Sequence, residues 1–343
     1  MFRVKKSISK YFNFSLFLAL FLCVIIVCIV INPSKYINIC LNGILVFGKN
    51  ILPALLPFIF FTKLLTSTGY AMFVSKKFSN VTKKIYNSPA ISSYVFLMSI
   101  LSGYPLGAKI TADLFNEGII TREEAHRICS FTSNSGPMFI VGTVGAMLHS
   151  TTAGYIILIS HILASLLNGL IYRKYSPKYL EILPKKISKN QNKDNVLSDC
   201  MQNSILSVLM IGGFICVFFI ITEIFISLKL FSPIIFLLEK FGVPNTITES
   251  ILCGILEITN GCLKLSSLQI SLALKTIVSS FIISFGGLAV AFQGLAFLND
   301  FKISKKYYFL QKLTHATLSC LITIILCFVF SIWFEYQKNW YII

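Results

Sequence analysis

The chain has 343 residues, of which 55% are hydrophobic and 13% are charged, and its mean hydropathy is +0.78. A soluble fold of this length exposes too many residues to hide so much apolar surface, so the composition excludes a cytosolic enzyme and a disordered protein. The 30 Lys and Arg against 13 Asp and Glu give a formal net charge of +17. Such an excess is typical of a nucleic-acid-binding protein or of a membrane protein with basic cytoplasmic loops, and the positions of the charges decide between them.

Uncharged stretches alternate with basic patches along the chain. The uncharged stretches are long enough to cross a membrane, and they cover residues 11–34, 85–108, 128–172, 201–222, 276–299 and 313–334. Only Lys63 interrupts a further stretch, residues 51–73. The basic patches lie at residues 3–10, 76–84, 173–193 and 302–306. Because they form no single basic face, we expect no nucleic-acid partner. We expect contact with membrane lipids, and attraction of the patches to anionic headgroups is left open.

The first elements follow from the positive-inside rule, which places all four patches, and Lys312 with them, on the cytoplasmic side. Residues 14–31 are predicted to be a retained transmembrane helix that runs outwards, since their apolar core is longer than that of a signal peptide. Residues 36–47 are too short to span and are predicted to lie at the outer interface, and residues 51–73 return inwards.

The stretch 92–110 is predicted to be a re-entrant hairpin that enters and leaves the membrane on the cytoplasmic side. A full crossing would place both the charged linker 111–127 and the basic patch 173–193 outside, against the positive-inside rule. The hairpin tip contains Gly and Pro residues, which interrupt a helix. Non-helical backbone at membrane depth requires cover from protein or from a water-filled cavity.

The remaining elements repeat this order in the opposite orientation. They are helices 128–148, 153–172 and 203–226, a second hairpin 248–265 that dips from the outer side, and helices 276–297 and 313–334. The predicted fold class is an all-α polytopic membrane protein, an inverted repeat of helix–re-entrant hairpin–helix–helix with about seven transmembrane helices plus two hairpins. Inverted repeats with broken helices are typical of secondary transporters, whose site lies at the repeat interface.

The same topology predicts the division of the chain. The units are an N-terminal transmembrane helix with its interfacial segment (1–50), a first repeat (51–172), a basic cytoplasmic loop (173–202), a second, inverted repeat (203–335) and a C-terminal tail (336–343). The N-terminus is then cytoplasmic and the C-terminus lies outside.

Two groups of candidate substrate-binding residues lie in the first repeat. At the hairpin tip, where Gly and Pro free backbone groups that a ligand can satisfy, they are Ser102, Gly103, Tyr104 and Lys109. In helix 128–148, just before Pro137, they are Ser133, Asn134, Ser135 and Gly136. The alternatives are a surface turn with Lys109 as a cytoplasmic anchor, and polar side chains that merely join helices.

Two further groups lie in the second repeat. At the second hairpin tip the candidates are Thr259 and Asn260 for substrate, with Glu257 for ion coupling, because an ionisable group inside the membrane is a functional candidate. A structural clasp between Glu257 and Lys264 is the alternative. In helix 276–297 the candidates are Ser284, Gly286 and Gln293, and close helix packing at the glycines is the alternative.

The sequence offers no set of residues for catalysis. The four His, at positions 126, 149, 161 and 315, have no metal-ligand spacing, the ten Cys form no CxxC pair, and no phosphate-binding loop occurs. We therefore expect no enzymatic activity, no metal and no cofactor. His161 and Ser165 in the first repeat fall where His315 and Ser319 fall in the second.

Three motifs resemble one known family. They are SGYPLGAK at residues 102–109, GIITREEA at 118–125 and NSGPMFIVG at 134–142, followed by Val144 and Gly145. They resemble the YlbJ-type sporulation integral membrane proteins, also called stage V sporulation protein V, which carry a nucleoside-transporter gate domain. The arrangement is also similar to that of concentrative nucleoside transporters, which have two re-entrant hairpins and two broken helices.

The resemblance implies a function as well as a fold. It implies a transporter or facilitator in the cell membrane of an endospore-forming bacterium, in the outer forespore membrane, that moves dipicolinic acid, a small anion, toward the forespore. A nucleoside permease and a non-transporting membrane scaffold for spore assembly are the alternatives. Whether the chain forms a homo-oligomer is left open.

Overall fold

The protein is described here by a computed structural model that covers residues 2–68, 70–174, 195–298 and 304–340. Within these ranges every regular element is a helix. Most of the basic patch 173–193, residue Lys302 and the last three residues of the predicted tail lie outside the described residues.

The N-terminal part contains two long helical stretches. Helix α1 covers Phe2–Ile31. Helix α2 (Pro33–Val46), a π-helical turn (Phe47–Ile51) and α3 (Leu52–Ser67) then follow one another without a break. The prediction of a separate short segment 36–47 is wrong: the stretch Pro33–Leu65 has 33 residues and is long and apolar enough to cross a membrane. The π-helical turn accommodates the polar residues Gly48, Lys49 and Asn50, which therefore do not end the helix.

The predicted helix 51–73 is also shorter than expected, because α3 ends at Ser67. Two short helices, α4 (Tyr70–Lys77) and α5 (Ser79–Tyr86), carry the basic patch 76–84. Helices α6 (Ser92–Ser102) and α7 (Leu106–Asn116) come next and are separated at the predicted hairpin tip. Leu106 and Ile110 of α7 pack with Tyr94 and Met98 of α6, which shows that the chain turns back on itself.

The predicted helix 128–148 is interrupted at its polar motif. Helix α8 (Arg122–Cys129) begins with a capping box between Thr121 and Glu124 and ends before the motif. Residues 133–136 are non-helical. The chain resumes as a π-helical segment (Met138–Val144) and a short α9 (Gly145–Met147), and α10 (Thr151–Ile171) follows.

The second half begins with the 32-residue α11 (Val196–Ser227) and a short α12 (Ser232–Glu239) that the sequence analysis did not anticipate. The second hairpin consists of α13 (Asn245–Leu256) and α14 (Ile258–Ser267). The two helices of this hairpin cross closely at Gly254 and Gly261, where a Cβ on Gly261 would lie 2.3 Å from the Gly254 Cα. Only glycine at position 261 permits this approach.

The last helices are α15 (Leu272–Phe285), α16 (Gly287–Leu298) and α17 (Lys305–Trp340). The predicted break at Gly286 and Gly287 is present, and both residues have positive φ angles. Helices α10, α15 and α17 pack against one another and place the central breaks inside the protein.

The described chain has five helical stretches that are long and apolar enough to cross a membrane. Large apolar side chains remain exposed on them: Leu209 is 56% exposed and Phe328 is 66% exposed. Such surfaces are stable against lipid and unfavourable in water, so the chain is an integral membrane protein. Two of the seven predicted crossings are not among these five, because the apolar part of α1, Leu16–Ile31, and the segment after the first break, Met138–Met147, are each shorter than 18 residues.

Candidate functional site

Both hairpin tips, the break after α8 and the first turns of α16 line one cavity. Ser102, Gly103 and Tyr104 of the first hairpin tip line it, as do Ser135 and Gly136 of the break after α8. The second tip and the start of α16 complete the lining with Glu257, Ile258, Thr259, Ala289, Val290 and Gln293. The two tips and the break after α8 therefore meet at this cavity, and Gly286 of the last break lies beside Tyr104, one of its lining residues.

Apolar side chains close the cavity from another side. Leu55 of α3, Phe139, and three residues of α11, Ile211, Phe214 and Ile215, complete the lining. A mostly apolar lining with a few convergent polar groups is typical of a site for a small organic molecule. These apolar lining residues were not among the predicted site residues, because nothing in an apolar span distinguishes side chains that face a cavity from those that face lipid.

The first tip and the break after α8 touch through their backbones. A Cβ on Gly103 would lie 2.6 Å from the backbone nitrogen of Gly136, and Gly103 has a φ of +73°. Both facts require glycine at position 103. The Oγ of Ser102, beside this contact, is buried and has no hydrogen-bond partner among the described residues, so it is available to a ligand.

Glu257 caps the second tip and lines the cavity at the same time. Its carboxylate accepts hydrogen bonds from the backbone N–H groups of Thr259 (2.9 Å) and Asn260 (2.7 Å) at the start of α14. The side chain is 4% exposed. The alternative of a clasp with Lys264 is wrong, because Lys264 pairs with Glu249 at 2.7 Å.

His161 of α10 bridges the two broken helices next to the cavity. The backbone N–H of Ser135 donates to its Nε2 at 2.9 Å, so Nδ1 carries the proton and donates to the Oγ of Ser284 at 2.7 Å. The ring of His315 lies 4.6 Å from that of His161, and His315 Nε2 donates to the His161 carbonyl oxygen at 3.0 Å. The correspondence of the two His in the predicted repeats is thus a direct contact.

Lys312 of α17 lies inside the protein and not in the cytoplasm, so its predicted assignment is wrong. It is 3% exposed. Its Nζ donates to the Ser133 carbonyl oxygen (2.9 Å) and to the Tyr104 hydroxyl (3.1 Å). The Tyr104 hydroxyl in turn donates to the Ile283 carbonyl oxygen at 3.2 Å. The error arose because the basic patch 302–306 is close in sequence, and α17 is one continuous helix.

Several predicted site residues support the cavity without lining it. Asn134 donates through Nδ2 to Ser99 Oγ (3.0 Å) and to the Phe131 carbonyl oxygen (2.9 Å), and so joins the first hairpin to the break. The side chain of Asn260 lies in a separate cavity of about 750 Å³. Ser133, Ser284 and Gly286 are also absent from the lining of the central cavity: the first two bond Lys312 and His161, and Gly286 lies beside Lys312.

Lys109 lines a second cavity of about 820 Å³, which we name the basic vestibule. It shares Ser102, Tyr104, Ile211 and Gln293 with the central cavity, and therefore borders it directly. Lys63 of α3 lies there too, and its Nζ donates to the Asn203 carbonyl oxygen and to Ser207 Oγ (2.9 Å). The charge pattern of the sequence predicted no function for Lys63.

Fold and cavity together describe an integral membrane protein with a cavity at broken helices. The chain is 27% identical over 352 residues to the sporulation integral membrane protein YlbJ of Bacillus subtilis (strain 168), over 95% of this chain and 85% of that protein. The resemblance noted from the motifs is thereby confirmed. No family model matches the chain.

One solved structure, that of CNTnw with two substitutions in an outward-facing state, is similar to the chain with a TM-score of 0.45 and 16% identity over 81% of this chain and 76% of that chain.

Proposed function

We propose that the protein is a secondary transporter or facilitator for a small organic solute, acting in the membrane of a sporulating cell. The observation that carries the proposal is the meeting of both hairpin tips, the break after α8 and the start of α16 at one cavity. Broken helices place unpaired backbone groups at membrane depth, where a substrate can bind them. The name of the relative supports the setting in sporulation.

The substrate we favour is a small anion, with dipicolinate first. The basic vestibule, with Lys63 and Lys109, supports an anion because it borders the central cavity and two cationic side chains line it. An anion in the cavity meets Glu257, and a proton on that carboxyl group removes the repulsion. Proton coupling through Glu257 is therefore part of the proposal.

A nucleoside is the second candidate, and a specific observation favours it. Among the described residues that line the central cavity, Glu257 is the only one with a carboxylate, and none carries a cationic side chain. A neutral solute avoids the repulsion, and Ser102, Thr259 and Gln293 offer it hydrogen bonds.

The transport cycle we propose uses the inverted arrangement. One half of the chain moves against the other around the cavity, with the N-terminus in the cytoplasm, the C-terminus outside and seven crossings. We propose the outer forespore membrane as its location, as the resemblance to the YlbJ-type proteins implies. A non-transporting scaffold predicts a different result: changes in the basic loop 173–202 would impair the protein's function, and changes in the cavity residues would not.

Uptake into proteoliposomes tests the proposal. Purified full-length protein is reconstituted, and radiolabelled dipicolinate and uridine are offered with and without an imposed proton gradient. We expect saturable dipicolinate uptake above that of empty vesicles. Uridine uptake alone would select the nucleoside permease, and no uptake of either under any gradient would refute transport.

The cavity has its own test. Ser102→Leu places bulk in the lining shared by the two cavities, and Leu163→Ala is the control, since Leu163 lies on α10 and is 43% exposed. We expect Ser102→Leu to abolish uptake and the control to retain it. Equal uptake by both variants would exclude this cavity as the site.

A further inference from the structure

The buried ammonium group of Lys312 is held without a carboxylate. Lys312 belongs to neither the Lys35–Glu223 nor the Lys264–Glu249 ion pair, and its Nζ donates to a carbonyl oxygen and a hydroxyl oxygen. Its surroundings include Cys129, Tyr308 and His315, which bear no negative charge in their usual forms. A buried cation in such a place is costly unless dipoles replace the lost water.

The dipoles that surround the ammonium group come from the chain breaks. The Ser133 carbonyl, just beyond the C-terminal end of α8, accepts from Nζ at 2.9 Å, and the Tyr104 hydroxyl at the first hairpin tip accepts at 3.1 Å. The face of the Tyr104 ring lies beneath, with its centroid 4.2 Å from Nζ. A carbonyl oxygen, a hydroxyl oxygen and an aromatic face are a set of groups that attracts a monovalent cation.

The position of this group matters as much as its chemistry. Lys312 extends from α17 and connects the first tip, through Tyr104, to the break after α8, through Ser133, and it lies beside Gly286 of the fourth break. Carbonyl groups at the unwound parts of broken helices are where secondary transporters hold coupling cations. Here the chain's own ammonium group fills that place.

We propose that Lys312 is a tethered cation that takes the position of an exchangeable Na⁺ or K⁺ and makes the protein independent of both. The tip, the break and α17 are held together by a group that is covalently attached to the chain and cannot leave, so the site is assembled without a bound ion. This rests on the proposed function only for its consequence in transport, since the cation site itself can be measured in the absence of substrate.

Thermal unfolding of the purified full-length protein tests the tethered cation directly. The melting temperature Tm is measured in Na⁺, K⁺ or N-methylglucamine salts. We expect the Tm of the wild-type protein to be the same in all three. We expect Lys312→Ala to lower Tm by about 5 °C in N-methylglucamine. Na⁺, K⁺ or ethylammonium, each able to enter the vacated position, should raise it again in a saturable way.

Two further variants separate charge from hydrogen bonding. Lys312→Gln keeps a donor and removes the charge, so it should show the same response to added cations, whereas Lys312→Arg should behave as the wild type does. If Lys312→Ala yields no folded protein, the Arg and Gln variants carry the same comparison. Lys305→Ala is the control, because Lys305 is exposed on the same helix.

The outcomes decide the proposal without reference to transport. A wild-type Tm that rises with Na⁺ or K⁺ would overturn it, since the site would then be exchangeable. A Gln variant identical to the wild type in every salt would overturn it as well, because the charge would be unnecessary. Failure of dipicolinate uptake, by contrast, refutes the proposed function and leaves these melting curves unaffected.

Discussion

His161 Nδ1 donates a hydrogen bond to Ser284 Oγ at 2.7 Å, and this contact joins α10 in the first half of the chain to the broken helix α15 in the second half. The other ring nitrogen accepts from the backbone of Ser135, so one imidazole holds both helix breaks at the cavity. His161 and Ser284 are both fully buried. The two halves are therefore connected at the cavity by a neutral, fully paired group.

Replacing His161 by Leu should be strongly destabilising. The substitution leaves the Ser135 N–H and the Ser284 hydroxyl buried without a partner, at a cost of about 2–4 kcal/mol. We expect a lower Tm in detergent and loss of uptake in proteoliposomes. Leu163→Ala, on the outer face of the same helix, should change neither by much, and an unchanged Tm in His161→Leu would contradict the bridging role.

Glu257 permits a test that separates coupling from capping. Glu257→Gln keeps one of the two oxygens that accept from the start of α14 and removes the charge, so Tm should fall less than in Glu257→Ala while the dependence of uptake on a proton gradient is lost. Glu257→Ala also removes the cap, which costs about 1 kcal/mol. If the Gln variant follows the proton gradient as the wild type does, Glu257 is only a cap.

Asn134→Leu should impair transport through the geometry of the tip. Asn134 Nδ2 joins the first hairpin to the break by donating to Ser99 Oγ and to the Phe131 carbonyl oxygen. Removing both contacts should lower the maximal uptake rate about tenfold, because small misplacements of a binding group are costly. Surface expression and the elution profile of the variant should match those of the wild type, and a normal rate would show that the contact is dispensable.

The positions of the breaks could be predicted from the sequence, and their supports could not. Gly, Pro and clustered polar residues mark both hairpin tips and both broken helices, because few other residues interrupt an apolar helix. His161 and Lys312 act across distances of more than a hundred residues, and a charge pattern read along the chain carries no information on such contacts. Lys312 was misassigned for this reason, because the rule that places basic residues in loops does not cover a lysine that is hydrogen-bonded inside the protein.

His126 should make the stability of the contact between α8 and the start of α17 depend on pH. Its Nδ1 donates to the Arg122 carbonyl oxygen (2.8 Å) and its Nε2 accepts from the Ser304 N–H (3.2 Å), which is the pairing of a neutral ring. Burial lowers the pKa of His126 below 6.5. The unfolded chain then binds the proton more readily than the folded chain does. The contribution of neutral His126 to the free energy of unfolding is therefore complete above about pH 6.5 and is lost as pH falls through the lowered pKa.

The measurement for His126 is the difference in Tm between the wild type and His126→Gln. Gln can donate and accept without titrating. We expect the wild type to lose more stability than the variant between pH 7.5 and pH 5.5, within the range where the ring takes up its proton. Parallel curves over that range would show that His126 contributes nothing to the pH dependence.

The basic vestibule should discriminate between anionic and neutral solutes. Lys63 and Lys109 line a space that borders the central cavity, and a cleft with one sign of charge raises the local concentration of a solute with the opposite sign. Lys109→Gln should therefore raise the apparent KM for dipicolinate about threefold to tenfold at low ionic strength, with a smaller effect at high salt. The apparent KM for uridine is the internal control, because the two lysines do not attract a neutral solute. A change in KM that is equal for the two solutes would mean that Lys109 shapes the vestibule and does not act through its charge.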